Sequence, residues 1–583
     1  SDIEEFVTGI DYQGDGQPFP LGRSTPTLTN TRLRNSAESV RVGALGLNLM
    51  NLHDINISGC DVDGFDTGVE MSYDGFRTNS TPTLTNTRVR SSAESVRPAT
   101  LGVNITGFVA AELNNCDIED YTSGIVYTGY GQEFVERATP TLTNTRVRNS
   151  AESTRIGATG MEFNDLTQVV ISGCDVDFYD VGIEINNENI RALSTPTLTN
   201  TRVRNSPESV RTGTMGIYVT GFVAASIDNC DVEDYTKGIN YIGNGQSFPT
   251  RATPTLTNTR VRNSAESVRT DEKGIVIKDV SIVLIDSCEV DEFDTGVEVV
   301  NETASSQTPT LTNTRVRNSA ESVRTSYVGL KMTGDLYAYV YGFEITDCDS
   351  AMVLQNLNIS DIAYNMMDDT DGSVDDVGIY TSNCSDLTVR NNTVYECDTG
   401  LNSMYSTIYL FNNIIVNTVS SITESWSSIT SEYNDIEGGY GASDIDVNPD
   451  FMDTVSGNYD LKWSSPCIDT GNPDPLYTDM DGTISDMGYS CYIQTEVIAA
   501  PTIALVSYNP DVEIDWHSVT GAIEYKVYSS DNPYSGFAED TTGNFEGSYW
   551  IAPMTETKLF YQVIGKNNVV SVRAAKSSQK KIK

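Results

Sequence analysis

The groups best suited to chemistry in this chain are carboxylates. Two segments set several of them around a glycine turn: Asp369-Thr-Asp371-Gly-Ser-Val-Asp375 and Asp479-Met-Asp481-Gly-Thr-Ile-Ser-Asp486. Alternating carboxylates about a turn offer oxygen ligands to a hard cation. Asp369, Asp371, Asp375, Asp479, Asp481 and Asp486 are therefore the candidate calcium ligands. Neither segment has the Glu that closes an EF-hand loop, and a solvated acidic turn would read the same way. Candidate proton-transfer groups are scarce. The chain has two histidines, His53 and His517, far apart in sequence. Its arginines recur in near-identical copies, whereas a catalytic site is singular. Glycoside hydrolysis needs two carboxyls with separated pKa values, and the carboxylates here fall into a repeated pattern or into acidic turns. No catalytic residue and no cofactor beyond calcium is assigned. Tyr127, Tyr130, Phe134, Tyr241 and Phe248, in variable segments, could stack on sugars or pack their own loops.

The elements that must carry these groups are set by an internal repeat. Thr25-Pro-Thr-Leu-Thr-Asn-Thr-Arg-Leu-Arg34 returns nearly unchanged, with its proline at 26, 82, 140, 196, 254 and 309. A glycine followed by alternating apolar residues marks a finer period, at Gly46, Gly68, Gly102, Gly124, Gly160, Gly182, Gly216, Gly238, Gly274, Gly296 and Gly329. Each unit of about 57 residues thus holds a tight coil and a loopier one. Ile55-x-Ile57-x-x-Cys60-x-Val62 in the first aligns with Pro82-x-Leu84-x-x-Thr87-x-Val89 in the second. Period-2 patches separated by Asn, Gly and Asp corners are short strands, and helical period is absent. Stacked coils of this kind make a parallel β-helix solenoid. In each loopy coil Asn-Ser-Ala-Glu-Ser-Val-Arg, Asn35 to Arg41 in the first copy, predicts a one-turn helix capped by Ser36.

Stacking predicts a charge ladder. Setting Cys60 beside Thr87 places Asp61 next to Arg88 and Asp63 next to Arg90, and later copies set Asp175 and Asp177 beside Arg202 and Arg204. These carboxylates read as ion-pair members rather than catalytic or metal groups. Cys60, Cys116, Cys174, Cys230 and Cys288 share a column on alternate coils. Their separation of about 9.6 Å, twice the strand spacing, is too long for disulfides. Cys384, Cys397, Cys467 and Cys491 lie off that column and could pair.

After about residue 350 the pattern loosens, and residues 325–465 hold 22 acidic side chains against three basic ones, Lys331, Arg390 and Lys462. Gly457-Asn-Tyr-Asp-Leu, Ser465-Pro-Cys-Ile-Asp-Thr-Gly-Asn-Pro473 and Asp486-Met-Gly resemble the closing coil of bacterial secreted β-helix proteins. With the preceding coils they identify the chain as similar to the pectin-lyase-like right-handed β-helix family. That resemblance implies polysaccharides as a substrate class. It also implies lyases using Arg or Lys beside calcium carboxylates, or hydrolases using clustered Asp with His. Val512-Glu-Ile-Asp-Trp516, Tyr525-Lys-Val-Tyr528 and Leu559-Phe-Tyr-Gln-Val563 are alternating strands at sandwich spacing. Trp516 and Tyr561 resemble the core Trp and late-strand Tyr of a fibronectin type III domain. The expected fold is all-β, a right-handed parallel β-helix followed by a small β-sandwich. Its divisions are regular repeats at 1–350, irregular acidic and closing coils at 351–490, the sandwich at 497–575 and a basic tail at 576–583.

The chain has 583 residues and a formal charge of −44, which repels nucleic acid and anionic lipid. No apolar run is long enough to span a membrane. The numbering opens at Ser1, and the Thr-, Ser-, Asn- and Gly-rich texture favours a removed signal peptide and an extracellular or cell-surface location. Asp2-Ile-Glu-Glu-Phe-Val-Thr-Gly9 matches Asp117-Ile-Glu-Asp-Tyr-Thr-Ser-Gly124, so the chain enters part-way through a coil with an open strand edge. The expected function is a non-catalytic structural subunit that forms head-to-tail homo-oligomers, as a filament or surface layer. The alternatives are a glycan-binding adhesin and a polysaccharide lyase or hydrolase.

Overall fold

The computed structural model describes residues 1–14, 25–36, 43–74, 80–91, 99–130, 139–150, 158–188, 193–205, 213–243, 253–264, 270–303, 305–318, 327–369 and 376–493, with the strands of residues 503–573 beyond them. The chain divides into two compact units, Ser1–Val447 and Asn448–Lys583.

The first unit is a parallel β-helix in which each coil adds one strand to each of three sheets. The charged sheet has 17 strands, from Asp2–Glu4 to Asp435–Ile436. The glycine sheet has 16, from Thr8–Gln13 to Ser420–Ser425, and the threonine sheet has 16, from Thr27–Thr29 to Ser428–Glu432. Side-chain parity decides what is inside. In Thr83-Leu84-Thr85 and Arg88-Val89-Arg90 the central residues are buried, while the flanking ones are partly exposed. Between the two strands the chain turns through a left-handed residue. Asn30, Asn86, Asn144, Asn200, Asn258 and Asn313 all take positive φ there, as do Gly59, Asn115, Gly173 and Asn229 on alternate coils. Asn and Gly are the residues that tolerate this conformation. The marker glycines answer a packing demand instead: a Cβ on Gly68 would stand 2.1 Å from Val89 Cγ1 and 2.6 Å from the Gly102 oxygen.

The two-coil register is the predicted one. Asp61, Val62 and Asp63 lie beside Arg88, Val89 and Arg90, and Asp175, Val176 and Asp177 beside Arg202, Val203 and Arg204. All ten cysteines are free and buried, so pairing among Cys384, Cys397, Cys467 and Cys491 does not occur. Cys348 and Cys397 stand two residues before Ser350 and Thr399, where Phe293 stands before Thr295. They therefore continue the column of buried rings formed by Phe65, Tyr121, Tyr179, Tyr235 and Phe293. The expected one-turn helices fall largely on 37–42 and its counterparts, outside the described residues.

The acidic coils continue the same three sheets, with Ser350 beside Val377 and Val377 beside Thr399. Here the Cys/Thr column becomes an asparagine ladder. Asn365 Nδ2 donates to Asn392 Oδ1 at 2.8 Å, Asn392 to Asn413 at 2.9 Å and Asn413 to Asn434 at 2.9 Å. Each of the last three Oδ1 atoms also accepts the backbone N–H of the Asn one coil earlier.

In the second unit Phe451–Asp453 pairs antiparallel with Asn458–Leu461. Beyond it a four-stranded and a three-stranded antiparallel sheet share a core of Ile514, Val527, Trp550, Ala552 and Val563, making a small β-sandwich. Trp516 and Tyr561 lie on its strands, and their side chains are outside the described residues. Among the described residues no helix is long and apolar enough to cross a membrane.

Candidate functional site

The charged sheet absorbs most of the candidate carboxylates. Arg88 grips Asp61 in a fork, Nε to Oδ1 at 3.0 Å and Nη2 to Oδ2 at 2.9 Å. Arg146 and Asp117, Arg202 and Asp175, and Arg260 and Asp231 repeat it. The second column pairs Arg90 with Asp63, Arg148 with Glu119, Arg204 with Asp177, Arg262 with Glu233 and Arg317 with Asp291. The hydrogen bond to Asp61 holds Arg88 above its ordinary range. Burial, and then the Asp175 charge, raises Asp177 despite its Arg204 partner. Each partly exposed pair contributes at most about 1 kcal/mol. The ladder thus sets an arginine of one coil against a carboxylate of the next along the charged sheet.

The candidate calcium ligands are held differently. Asp369 is buried, while Asp371 and Asp375 lie outside the described residues. Asp479 Oδ2 accepts the Asp486 N–H at 2.7 Å. Asp486 accepts the N–H groups of Asp469 at 2.8 Å and Tyr492 at 2.6 Å, and Asp481 Oδ1 accepts the Thr483 N–H at 3.1 Å and hydroxyl at 2.7 Å. These carboxylates thus tie down turn amides. Burial raises Asp479, and burial followed by the Asp479 charge raises Asp486, so the two carboxyls retain a proton that isolated ones would release. Among the described residues no group of three or more His, Cys, Asp or Glu is arranged to hold a metal ion.

His53 Nδ1 lies 2.9 Å from Asp54 Oδ2, and His517 is outside the described residues. Of the loop aromatics, Tyr127 and Tyr241 are buried core residues, because strand parity turns them inward. That removes both as sugar platforms. Tyr130 is exposed, donates to Asp74 Oδ1 at 2.7 Å and packs edge-on against Phe108. Phe134 and Phe248 lie outside the described residues.

Three further features had no repeat signal to expose them. Glu162 and Glu184 face each other on neighbouring strands of the glycine sheet, about 4.8 Å apart by strand spacing. Burial, then the Glu162 charge, raises Glu184. Arg390 is bound by Asp361, Nε to Oδ1 at 3.1 Å and Nη2 to Oδ2 at 3.0 Å, and lies between the rings of Tyr341 at 5.7 Å and Tyr364 at 5.3 Å. Burial works against the Arg390 charge and Asp361 outweighs it. Finally, Tyr405, Tyr409 and Trp426 are exposed on the last coils. The exposure of single aromatics could not be read from sequence.

The family described as right-handed β-helix region matches residues 181–323 and 273–436. Among solved structures the chain is similar to tailspike protein 3 of bacteriophage CBA120 at 13% identity, covering 70% of this chain and 56% of that one with a TM-score of 0.29. It thus spans little more than half of that protein's length. No curated protein matches it. With coils that match this family model and three unbroken parallel sheets, the first unit is a right-handed parallel β-helix.

Proposed function

We propose that the protein is a non-catalytic extracellular structural subunit whose β-helix joins end to end with further copies in a filament or surface layer. The observation that carries this reading is the last coil. Ser420–Ser425 and Ser428–Glu432 each pair on one side alone among the described strands, and the inward residues Ile422 and Ile429 stay partly uncovered. Such an edge offers backbone donors and acceptors to another chain by strand addition. A heterologous contact of this kind propagates rather than closing. The edge carries Glu424 and Glu432, and Asp11 lies on the first strand of the glycine sheet, whereas Asp2 and Glu4 are paired with Arg32 and Arg34. Joining the two therefore requires screening. Sedimentation velocity should show larger species growing from 20 mM to 500 mM salt; monomer at both salt concentrations and at high protein concentration would reject the reading.

The non-catalytic reading is supported by the commitment of Arg390 to Asp361 and of the repeat carboxylates to Arg partners. Incubation with pectin, alginate and neutral glycans should release no reducing ends or unsaturated products. Turnover abolished by Glu162→Gln or Glu184→Gln would assign the chain to the hydrolases instead. The C-terminal sandwich fits a fibronectin type III-like module. Its first, second, sixth and fifth strands form one sheet, and its fourth, third and seventh the other. A second reading, a glycan-binding adhesin, is favoured by the aromatics of the last coils.

A further inference from the structure

We infer that Tyr405, Tyr409 and Trp426 form a binding surface for an uncharged polysaccharide. The inference begins with backbone conformation. The corner leading from the glycine sheet to the threonine sheet is left-handed in many coils. Asn51, Gly107, Asp165, Gly221, Asp279, Gly334, Asn356 and Asn383 hold it, all with positive φ. The next two coils place Tyr405 at φ 50° and Trp426 at φ 56° in the same position, in register through Met404 and Ser425. Bulky side chains are disfavoured there, and such strain concentrates at functional positions. Nor do these rings pack the core: Tyr405 is 56% and Trp426 83% exposed. A residue that neither suits its backbone nor fills the interior is placed for what it presents outward.

Tyr409 extends the surface. It points out of the threonine sheet between Thr388 and Thr430 and is 46% exposed. The same outer column of the repeats is mostly Thr or Ser, as at Thr83, Thr141, Thr197, Ser226 and Thr255, interrupted by Glu112, Val170, Leu284 and Tyr339. Beside Tyr409 stand exposed hydroxyls, Thr407 facing Ser428 and Tyr409 itself facing Thr430, with Glu432 next on the same outer face. Flat rings flanked by hydroxyls suit pyranose rings, whose C–H faces stack on aromatics while their hydroxyls bond to the rim. A protein interface would call for a contiguous apolar patch with aliphatic content.

Charge selects the polymer. Residues 325–465 hold 22 acidic and three basic side chains, and Arg390 is already bound to Asp361. Glu424 and Glu432 flank the rings on the last coil. An anionic glycan would be repelled, and an uncharged one would not. The site is compatible with end-to-end joining, because these side chains point out of the sheets and the strand edges lie along the stacking direction.

The test is affinity electrophoresis of the full chain through gels holding a soluble β-glucan, a mannan, an arabinoxylan or polygalacturonate. The comparison is with Trp426→Asn, which suits a left-handed corner, and with Tyr409→Ser. At least one uncharged polymer should retard the native protein. Each variant should weaken that retardation at least tenfold without lowering the melting temperature, and polygalacturonate should have no effect. No retardation by any uncharged polymer, equal retardation of the variants, or retardation by polygalacturonate alone would overturn the inference. Loss of self-association in Trp426→Asn with no glycan effect would also overturn it, assigning the rings to a contact between copies.

Discussion

Cys174 and the threonines one coil away, Thr145 and Thr201, do the same work in the interior. The Cys174 thiol donates to the Leu142 oxygen at 3.6 Å, and the Thr145 hydroxyl donates to the Leu113 oxygen at 3.4 Å. Burial pushes the Cys174 thiol up to about 11, so it stays a thiol at neutral pH and an inert one. Cys174→Thr should therefore change stability by less than about 1 kcal/mol, as volume-conserving swaps with a satisfied hydroxyl do. A thiol reagent should label no cysteine of the first unit before unfolding. Glu184 is the opposite case. Its raised folded pKa means that the folded state holds the proton more tightly than the unfolded one. The stability this confers is present below the unfolded value and lost as pH rises through the folded one. Glu184→Gln should thus gain on the native protein between pH 4 and pH 7, by about 0.2–1 kcal/mol, the range for cross-strand pairs. Urea titrations at the two pH values measure it, and an equal difference at both would show that the Glu162 contact does not matter.

At the scale of the element, the charged and asparagine ladders fix register by different physics. The arginine pairs are partly exposed and individually weak. Their alternation matters because a one-coil slip would set Arg beside Arg. The asparagines are buried, so each missing partner is costly. Asn392 Oδ1 accepts from Asn365 N and Nδ2, and its Nδ2 donates to the Ile362 oxygen at 2.9 Å and to Asn413. Asn392→Ala orphans several of these groups at about 1–3 kcal/mol each. A loss of at least about 2 kcal/mol is expected by chemical denaturation, and a change below about 0.5 kcal/mol would mean that the ladder carries no stability. The charged ladder was legible because six copies of Thr-Arg-x-Arg align by eye. The asparagine ladder was not, because Asn365, Asn392, Asn413 and Asn434 stand at unequal spacing with an insertion between the first two. Tyr127 was legible yet misread: Gly124-Ile125-Val126-Tyr127 has the parity of Gly46-Leu47-Asn48-Leu49, which turns the ring inward. The left-handed corners of Tyr405 and Trp426 were not legible, since nothing in a Tyr or Trp announces positive φ.

At the scale of the whole molecule, stacking of copies is the function proposed for this chain. A long β-helix with a repeating carboxylate–arginine period and a partly uncovered last coil is suited to extension. Sixteen coils at about 4.8 Å give the first unit alone a length of roughly 77 Å, which sets a lower bound on the axial repeat of any polymer it forms. Electron microscopy of the native protein at raised ionic strength tests this most directly. Unbranched filaments with an axial repeat of at least about 77 Å are expected; dispersed single particles at every salt and protein concentration would rule stacking out.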